Sequence, residues 1–192
     1  MQHLPVNEKK EIKERPMRNL LFCLKFDGSA FHGWQIQHNA ITVQQVFQEA
    51  VASVIGSCPD IKGSSRTDSG VHANMFCISM KTDHPIPVER MRAAVNTFLP
   101  PQVVVTDVRE VPLDFHARYN ALGKRYIYKV HNSQVRDPFL RERALYYRRP
   151  IDEQMLNKAA KAYVGAHDFT SFCTLDKREI GDFVRTVSDF SV

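Results

Sequence analysis

The 192-residue sequence has little of what metal and redox centres need. Its four cysteines, Cys23, Cys58, Cys77 and Cys173, show no C-x-x-C spacing and no histidines at ligand spacing, and neither an H-E-x-x-H nor an EF-hand pattern occurs. Dispersed thiols, three of them in or beside apolar segments, predict buried, reduced cysteines rather than metal ligands or disulfides. No glycine-rich phosphate loop precedes a helix. These absences point to chemistry that uses no metal and no small-molecule cofactor. The sequence also lacks any run of about eighteen apolar residues, which excludes a membrane-spanning helix within it. Its first residues lack the apolar stretch of a secretory leader, and Glu8, Glu11 and Glu14 interrupt the basic residues that a mitochondrial leader would keep clear of acids. The expectation is a cytoplasmic protein with no membrane association.

What is present suffices for a folded core: 43% of the residues are hydrophobic. Net charge is +5, from 26 Lys and Arg against 21 acidic residues. That excess suits a polyanionic partner without requiring one. Local clustering is more telling. Between Lys124 and Arg149 fall Arg125, Lys129, Arg136, Arg141, Arg143 and Arg148, interleaved with Tyr126, Tyr128, Phe139, Tyr146 and Tyr147. Cations among aromatic faces suit phosphate contact combined with base stacking.

Residues 1–18 read as a mobile charged arm. The apolar run Leu20–Phe26 predicts a strand buried on both faces. Thr42 and Gln45 form a capping box for a helix whose stripe is Val43, Val46, Phe47, Ala50, Val51 and Val54, ended by Gly56. Strands are expected over Ile61–Ser64 and Met75–Met80. A second helix runs from Pro87 to Phe98 with Val88, Met91, Val95 and Phe98 inward, and a β-branched strand follows over Val103–Val108. This order is a split βαβ, ferredoxin-like half. It then restarts, with a strand over Arg125–His131, a helix capped by Asp152 and ended by Gly165, and a strand over Phe183–Val192. The predicted class is α+β: two tandem ferredoxin-like, RRM-like halves with antiparallel sheets. The second half stops before its final helix and strand, as expected of a shortened chain. The predicted boundaries are 19–112 for the half carrying the active loop and 113–192 for the incomplete one.

One loop, Gly63-Ser64-Ser65-Arg66-Thr67-Asp68-Ser69-Gly70-Val71-His72-Ala73, holds a carboxylate beside a guanidinium. Alone, Thr-Asp-Ser-Gly is a turn, with Asp68 accepting backbone N–H groups and Gly70 free to adopt a positive φ. It has companions, however: Phe26-Asp27-Gly28-Ser29-Ala30-Phe31-His32-Gly33-Trp34-Gln35, Asp114-Phe115-His116-Ala117-Arg118-Tyr119, Lys124-Arg125-Tyr126-Ile127-Tyr128 and Gly165-Ala166-His167-Asp168-Phe169-Thr170-Ser171-Phe172. In this order and spacing, from about Asn19 to Val192, they closely resemble the TruA family of tRNA pseudouridine synthases. The resemblance implies isomerisation of uridine in the anticodon stem-loop of tRNA by a cofactor-free homodimer. It makes Asp68 the catalytic carboxylate and assigns stacking on the target base to Tyr126. Arg66, Asp27, Gln35, His72 and Arg118 are the further substrate-binding candidates. Arg66 is in addition a local partner that would keep Asp68 ionised. The family's basic partner of the catalytic Asp has no counterpart here.

Two other readings stay open at this point. A non-catalytic RNA-binding remnant would keep the basic cleft and lack turnover. A ferredoxin-like metabolic or regulatory domain would show no preference for tRNA over a small anion.

Overall fold

The computed structural model describes residues 15–173 and 182–192. The chain divides into two compact units, the first ending at Tyr126 and the second running from Ile127 to Val192. In the first unit β1 (Arg18–Phe26), α1 (Val43–Ile55), β2 (Ile61–Gly63), β3 (Ala73–Thr82), α2 (Val88–Phe98) and β4 (Val103–Val111) form one four-stranded sheet in the order β2-β3-β1-β4. Every neighbouring pair is antiparallel. This is the split βαβ arrangement expected of the first half: each helix carries the chain across the sheet past one intervening strand.

Alternation along the strands builds the core. Leu20, Phe22, Leu24 and Phe26 of β1, with Phe76, Ile78 and Met80 of β3 and Val103, Val105 and Val108 of β4, join Val43, Phe47, Ala50 and Val51 of α1 and Met91 and Val95 of α2. The Phe22 and Phe47 rings meet edge-on, with centroids 5.3 Å apart. Each fully buried aliphatic or aromatic side chain here stabilises the unit by about 1.5–3 kcal/mol. The opposite face of the sheet is partly strapped by the chain leaving β4. Asn19 Nδ2 donates to the Pro112 and Phe115 carbonyls, both at 2.9 Å, and the Ala117 N–H donates to Ser79 Oγ at 3.1 Å.

The helix ends follow local chemistry. The Gln45 N–H donates to Thr42 Oγ1, and Gly56 takes the left-handed conformation at φ 77°. Only half of the predicted capping box forms, because the Gln45 amide turns along the helix to Glu49 instead of back to Thr42. Asn96, on α2, reaches the outer strand: its Nδ2 donates to the Val105 carbonyl at 2.9 Å and its Oδ1 accepts the Val105 N–H at 2.8 Å.

Several expectations need correction. The arm over 1–18 lies outside the described residues for its first fourteen positions, and Arg18 already belongs to β1. Phe98 is not inward: at the last position of α2 it is 54% exposed, while Met91 and Val95 of the same stripe are buried. Cys58 and Cys173 are exposed rather than buried, although all four cysteines are free thiols.

The second unit contains β5 (Val130–Asn132), β6 (Leu145–Tyr147), α3 (Glu153–Ala160), β7 (Gly165–Asp168) and β8 (Val184–Val187). The α+β character holds. Among the described residues, however, its strands form two separate pairs, β5–β6 parallel and β7–β8 antiparallel, rather than one antiparallel sheet. The long strand expected at Arg125–His131 shrinks to β5 because residues 125–129 lie in no ladder among the described residues. α3 is capped by Asp152 as expected but ends at Ala160 in a tight turn over Lys161–Tyr163, and Gly165 opens β7 at φ 114°. No helix among the described residues is long and apolar enough to cross a membrane.

Phe47→Ala is expected to lower the unfolding free energy by about 3–5 kcal/mol, since it empties a closed site against Phe22. Phe98→Ala should stay within about 0.5 kcal/mol of the parent. Urea denaturation of the two variants side by side checks both.

Candidate active site

Two loops meet at one end of the first unit's sheet. One leaves β1 through Asp27–Gln35, and the other joins β2 to β3 through Ser64–His72. Their contact is backbone against backbone. A Cβ on Gly28 would lie 2.0 Å from the Val71 carbonyl oxygen, and one on Gly33 would lie 2.5 Å from that of Thr67. Gly33 also sits at φ +83°, a conformation that glycine adopts without strain. Hydrogen bonds fix the approach. The Trp34 N–H donates to the Thr67 carbonyl at 3.0 Å, and the Gly70 N–H donates to the Phe31 carbonyl at 3.2 Å. The Gly33 and Trp34 carbonyls accept the N–H groups of Val43 and Gln44, which ties the same segment to the start of α1.

Beneath the loops the Trp34 indole is buried, tilted against Phe76 with centroids 4.4 Å apart and close over Gly63. Trp34 is therefore a floor for the site rather than a surface that a ligand can reach. Gln35, the next residue, is exposed.

Asp27 and Asp68 have opposite environments. Asp27 Oδ1 accepts the Ser29 N–H at 3.1 Å and the Ser29 hydroxyl at 2.6 Å, capping the turn over Gly28–Ala30. The same oxygen lies 3.0 Å from His72 Nδ1, which in turn lies 3.2 Å from the Gly28 nitrogen. With its proton on Nδ1 the imidazole donates to Asp27; without it, Nδ1 accepts the Gly28 N–H. Either way His72 links the two loops. Asp68 is exposed, and its carboxylate makes no hydrogen bond or ion pair among the described residues. Its backbone carbonyl is engaged instead, accepting the Val71 N–H at 3.2 Å.

Arg66 is exposed and forms no ion pair with Asp68, so the local partnership expected from their spacing does not form. Side chains two apart along a loop without helical or strand repeat have no geometric reason to converge. Between them, the Thr67 hydroxyl is buried and has no hydrogen-bond partner among the described residues.

Five of the seven candidates, Asp27, Gln35, Arg66, Asp68 and His72, thus lie on these two adjoining loops. Arg118 is exposed elsewhere in the unit, its guanidinium 5.8 Å from the Tyr119 ring centroid, and its N–H donates to His116 Nδ1. Tyr126, at the last position of the unit, is 79% exposed. No hydrogen bond joins Arg118 or Tyr126 to either loop among the described residues. A hollow of about 710 Å³ opens beside the first loop between His32, Ile36, His38 and Gln45, and none of the seven lines it. Sequence reasoning missed Ser29 and the Asp27–His72 link. The Asp-Gly-Ser triplet was the available signal for the turn, whereas nothing in the sequence pairs positions 27 and 72.

In the second unit the basic residues of the cluster, Lys129, Arg136, Arg141, Arg143, Arg148 and Arg149, are all exposed. Arg136 lies over the Tyr146 ring at 5.1 Å from its centroid. Tyr128 and Phe139 are 91% and 87% exposed.

Comparison with known proteins identifies the family. The family model described as tRNA pseudouridine synthase matches residues 22–120 and 159–192. The chain is similar to the tRNA pseudouridine synthase A of Acetivibrio thermocellus, 39% identical over 176 residues covering 92% of this chain and 72% of that protein. A protein of the same name from Thermoanaerobacter pseudethanolicus is 38% identical over the same shares. Another, from Solibacter usitatus, is 39% identical over 85% of this chain and 68% of its own length. With the two glycine-joined loops, the exposed Asp68 and a match that runs through both units, this chain belongs to the tRNA pseudouridine synthase family.

Proposed function

We propose that this protein isomerises uridine to pseudouridine in tRNA with Asp68 as the catalytic carboxylate. The reaction breaks the bond between C1′ of the sugar and N1 of the base and forms one between C1′ and C5, so N1 gains a proton and C5 loses one. A carboxylate can serve either as nucleophile or as proton acceptor in such a rearrangement without a cofactor. The observation that carries this reading is the contrast between the two aspartates. Asp27 is engaged by Ser29 and His72, whereas Asp68 presents a carboxylate without a partner among the described residues, on a loop held by its backbone.

The target base must leave its stack before an enzyme can act on it, which costs a few kcal/mol. In this reading the Tyr126 ring stacks on the extruded base, and the exposed Arg66 binds a flanking phosphate. Arg118 and Gln35 contribute further contacts to the substrate, while Asp27 and His72 hold the loops in place. The exposed cations and rings of the second unit bind the tRNA backbone. The anticodon stem-loop as target, a homodimeric assembly and a cytoplasmic setting belong to the same proposal and rest on family likeness.

Asp68→Asn, nearly isosteric, should reduce pseudouridine formation on a tRNA transcript by at least about three orders of magnitude while leaving tRNA affinity within about twofold. Chemical labelling with primer extension, paired with filter binding, checks this. Wild-type protein that binds tRNA but forms no pseudouridine would instead establish a non-catalytic RNA-binding protein. Gly28→Ala should cost activity and melting temperature together, because the added methyl group meets the Val71 carbonyl rather than a movable side chain. Arg148→Ala/Arg149→Ala should weaken binding to all tRNAs alike and make the slope of log K against log salt less steep by about 0.7–0.9 for each phosphate no longer neutralised. A salt titration reads that slope directly.

A further inference from the structure

The register of β1 against β3 sets Cys23 opposite Cys77, and their sulfurs lie 3.9 Å apart. Both point to the sheet face away from the helices, since Phe22, Leu24, Phe76 and Ile78 on either side of them fill the core. Opposed residues of an antiparallel pair have Cα atoms about 4.5–5.5 Å apart. That separation falls within the window of about 4.4–6.8 Å that a disulfide spans. Side-chain rotation with little backbone movement can therefore close the gap. Access differs between the two thiols: Cys23 is 8% exposed and Cys77 is half-buried. The exposed Cys58 and Cys173 engage other groups, the Gln48 amide and the Phe169 carbonyl.

We propose that Cys23 and Cys77 are a modification site, a dithiol pair that a hydroperoxide converts into a reversible cross-strand disulfide. The Cys77 thiolate attacks one peroxide oxygen, the O–O bond breaks, and the sulfur becomes a sulfenic acid while the other oxygen leaves as water after taking up a proton. The Cys23 sulfur then attacks the sulfenic sulfur, the S–S bond forms, and the hydroxyl leaves as a second water. Two thiols are oxidised and one hydrogen peroxide is reduced to two waters. Burial, and then the neighbouring Cys77 thiol, push the Cys23 thiol up to about 11, which leaves the first attack to the more accessible Cys77.

The location gives the bond its structural meaning. β1 leads into the Asp27–Gln35 loop, and β3 leaves the loop that carries Asp68. The Cys77 peptide also anchors the start of that second loop, because its carbonyl accepts the Ser64 N–H at 2.8 Å and its N–H donates to Ser64 Oγ at 3.3 Å. The disulfide would join the strands bearing both loops across 54 positions of sequence. The site stands whether or not Asp68 is the catalyst.

The test uses the 192-residue chain and its Cys58→Ser/Cys173→Ser variant, which removes the two exposed thiols. Each is treated with hydrogen peroxide while folded, then unfolded, alkylated and digested with trypsin. The expected product in both is the peptide Asn19–Lys25 joined to Thr67–Lys81, lost on reduction with dithiothreitol. The oxidised variant should also melt at a higher temperature than the reduced one. Recovery of both cysteines as alkylated thiols, or of Cys77 as sulfinic or sulfonic acid with no joined peptide, overturns the proposal. So does pairing of either residue only with Cys58 or Cys173 in the parent chain.

Discussion

The close approach of two stretches of backbone is the constraint on which the candidate site depends. Gly28 against Val71 and Gly33 against Thr67 leave no room for a side chain, so the loop bearing Asp68 rests directly on the loop leaving β1. Hydrogen bonds between the loops then run peptide to peptide, from Trp34 to Thr67 and from Gly70 to Phe31. A loop held in this way does not rely on its own side chains for its shape. Arg66 and Asp68 are thereby released from structural duty and can face an external ligand. Catalytic groups need this kind of support, because a small displacement of a reacting atom costs a large part of the rate.

The floor and the anchor complete the arrangement. Trp34 packs on Gly63 and against Phe76, so the loops stand on the first unit's core rather than on solvent. Asp27, by contrast, directs its hydrogen-bonding capacity inward to Ser29 and His72. Two aspartates on neighbouring loops thus have different surroundings, set by how many donors lie near each rather than by residue type. A carboxylate already accepting several hydrogen bonds is stabilised as it stands and makes a poorer reactant.

The first unit was largely legible from its sequence, because its signals are local and mutually consistent. The unbroken apolar run of β1, the stripe from Val43 to Val51, the Thr42 cap and the Gly56 stop all depend on neighbours within a few positions. Phe98 departs from the expectation because a helix stripe indicates which side faces inward but not how far along the helix burial extends. The second unit was less legible. The tyrosines and cations of Arg125–Lys129 carry strand propensity, yet a strand exists only where a partner strand pairs with it, and propensity does not supply one. At the site, the Asp68 loop stood out through its residue types. The link from Asp27 to His72 spans 45 positions and is created only when β1 and β3 pair. The absent Arg66–Asp68 contact shows the converse: nearness in sequence is not nearness of charge when the backbone between is irregular.

The Asn96 clamp on Val105 bears on the behaviour of this protein in concentrated solution. Among the described residues β4 is an outermost strand, and an uncovered outermost strand offers a row of N–H and C=O groups to any extended chain that drifts past. By donating to the Val105 carbonyl and accepting its N–H, the Asn96 amide imitates the hydrogen bonds of an added strand at that position. At Val105 a side chain of the sheet's own helix thereby takes the place of an added strand, and an incoming chain meets there a peptide unit whose bonding is already satisfied.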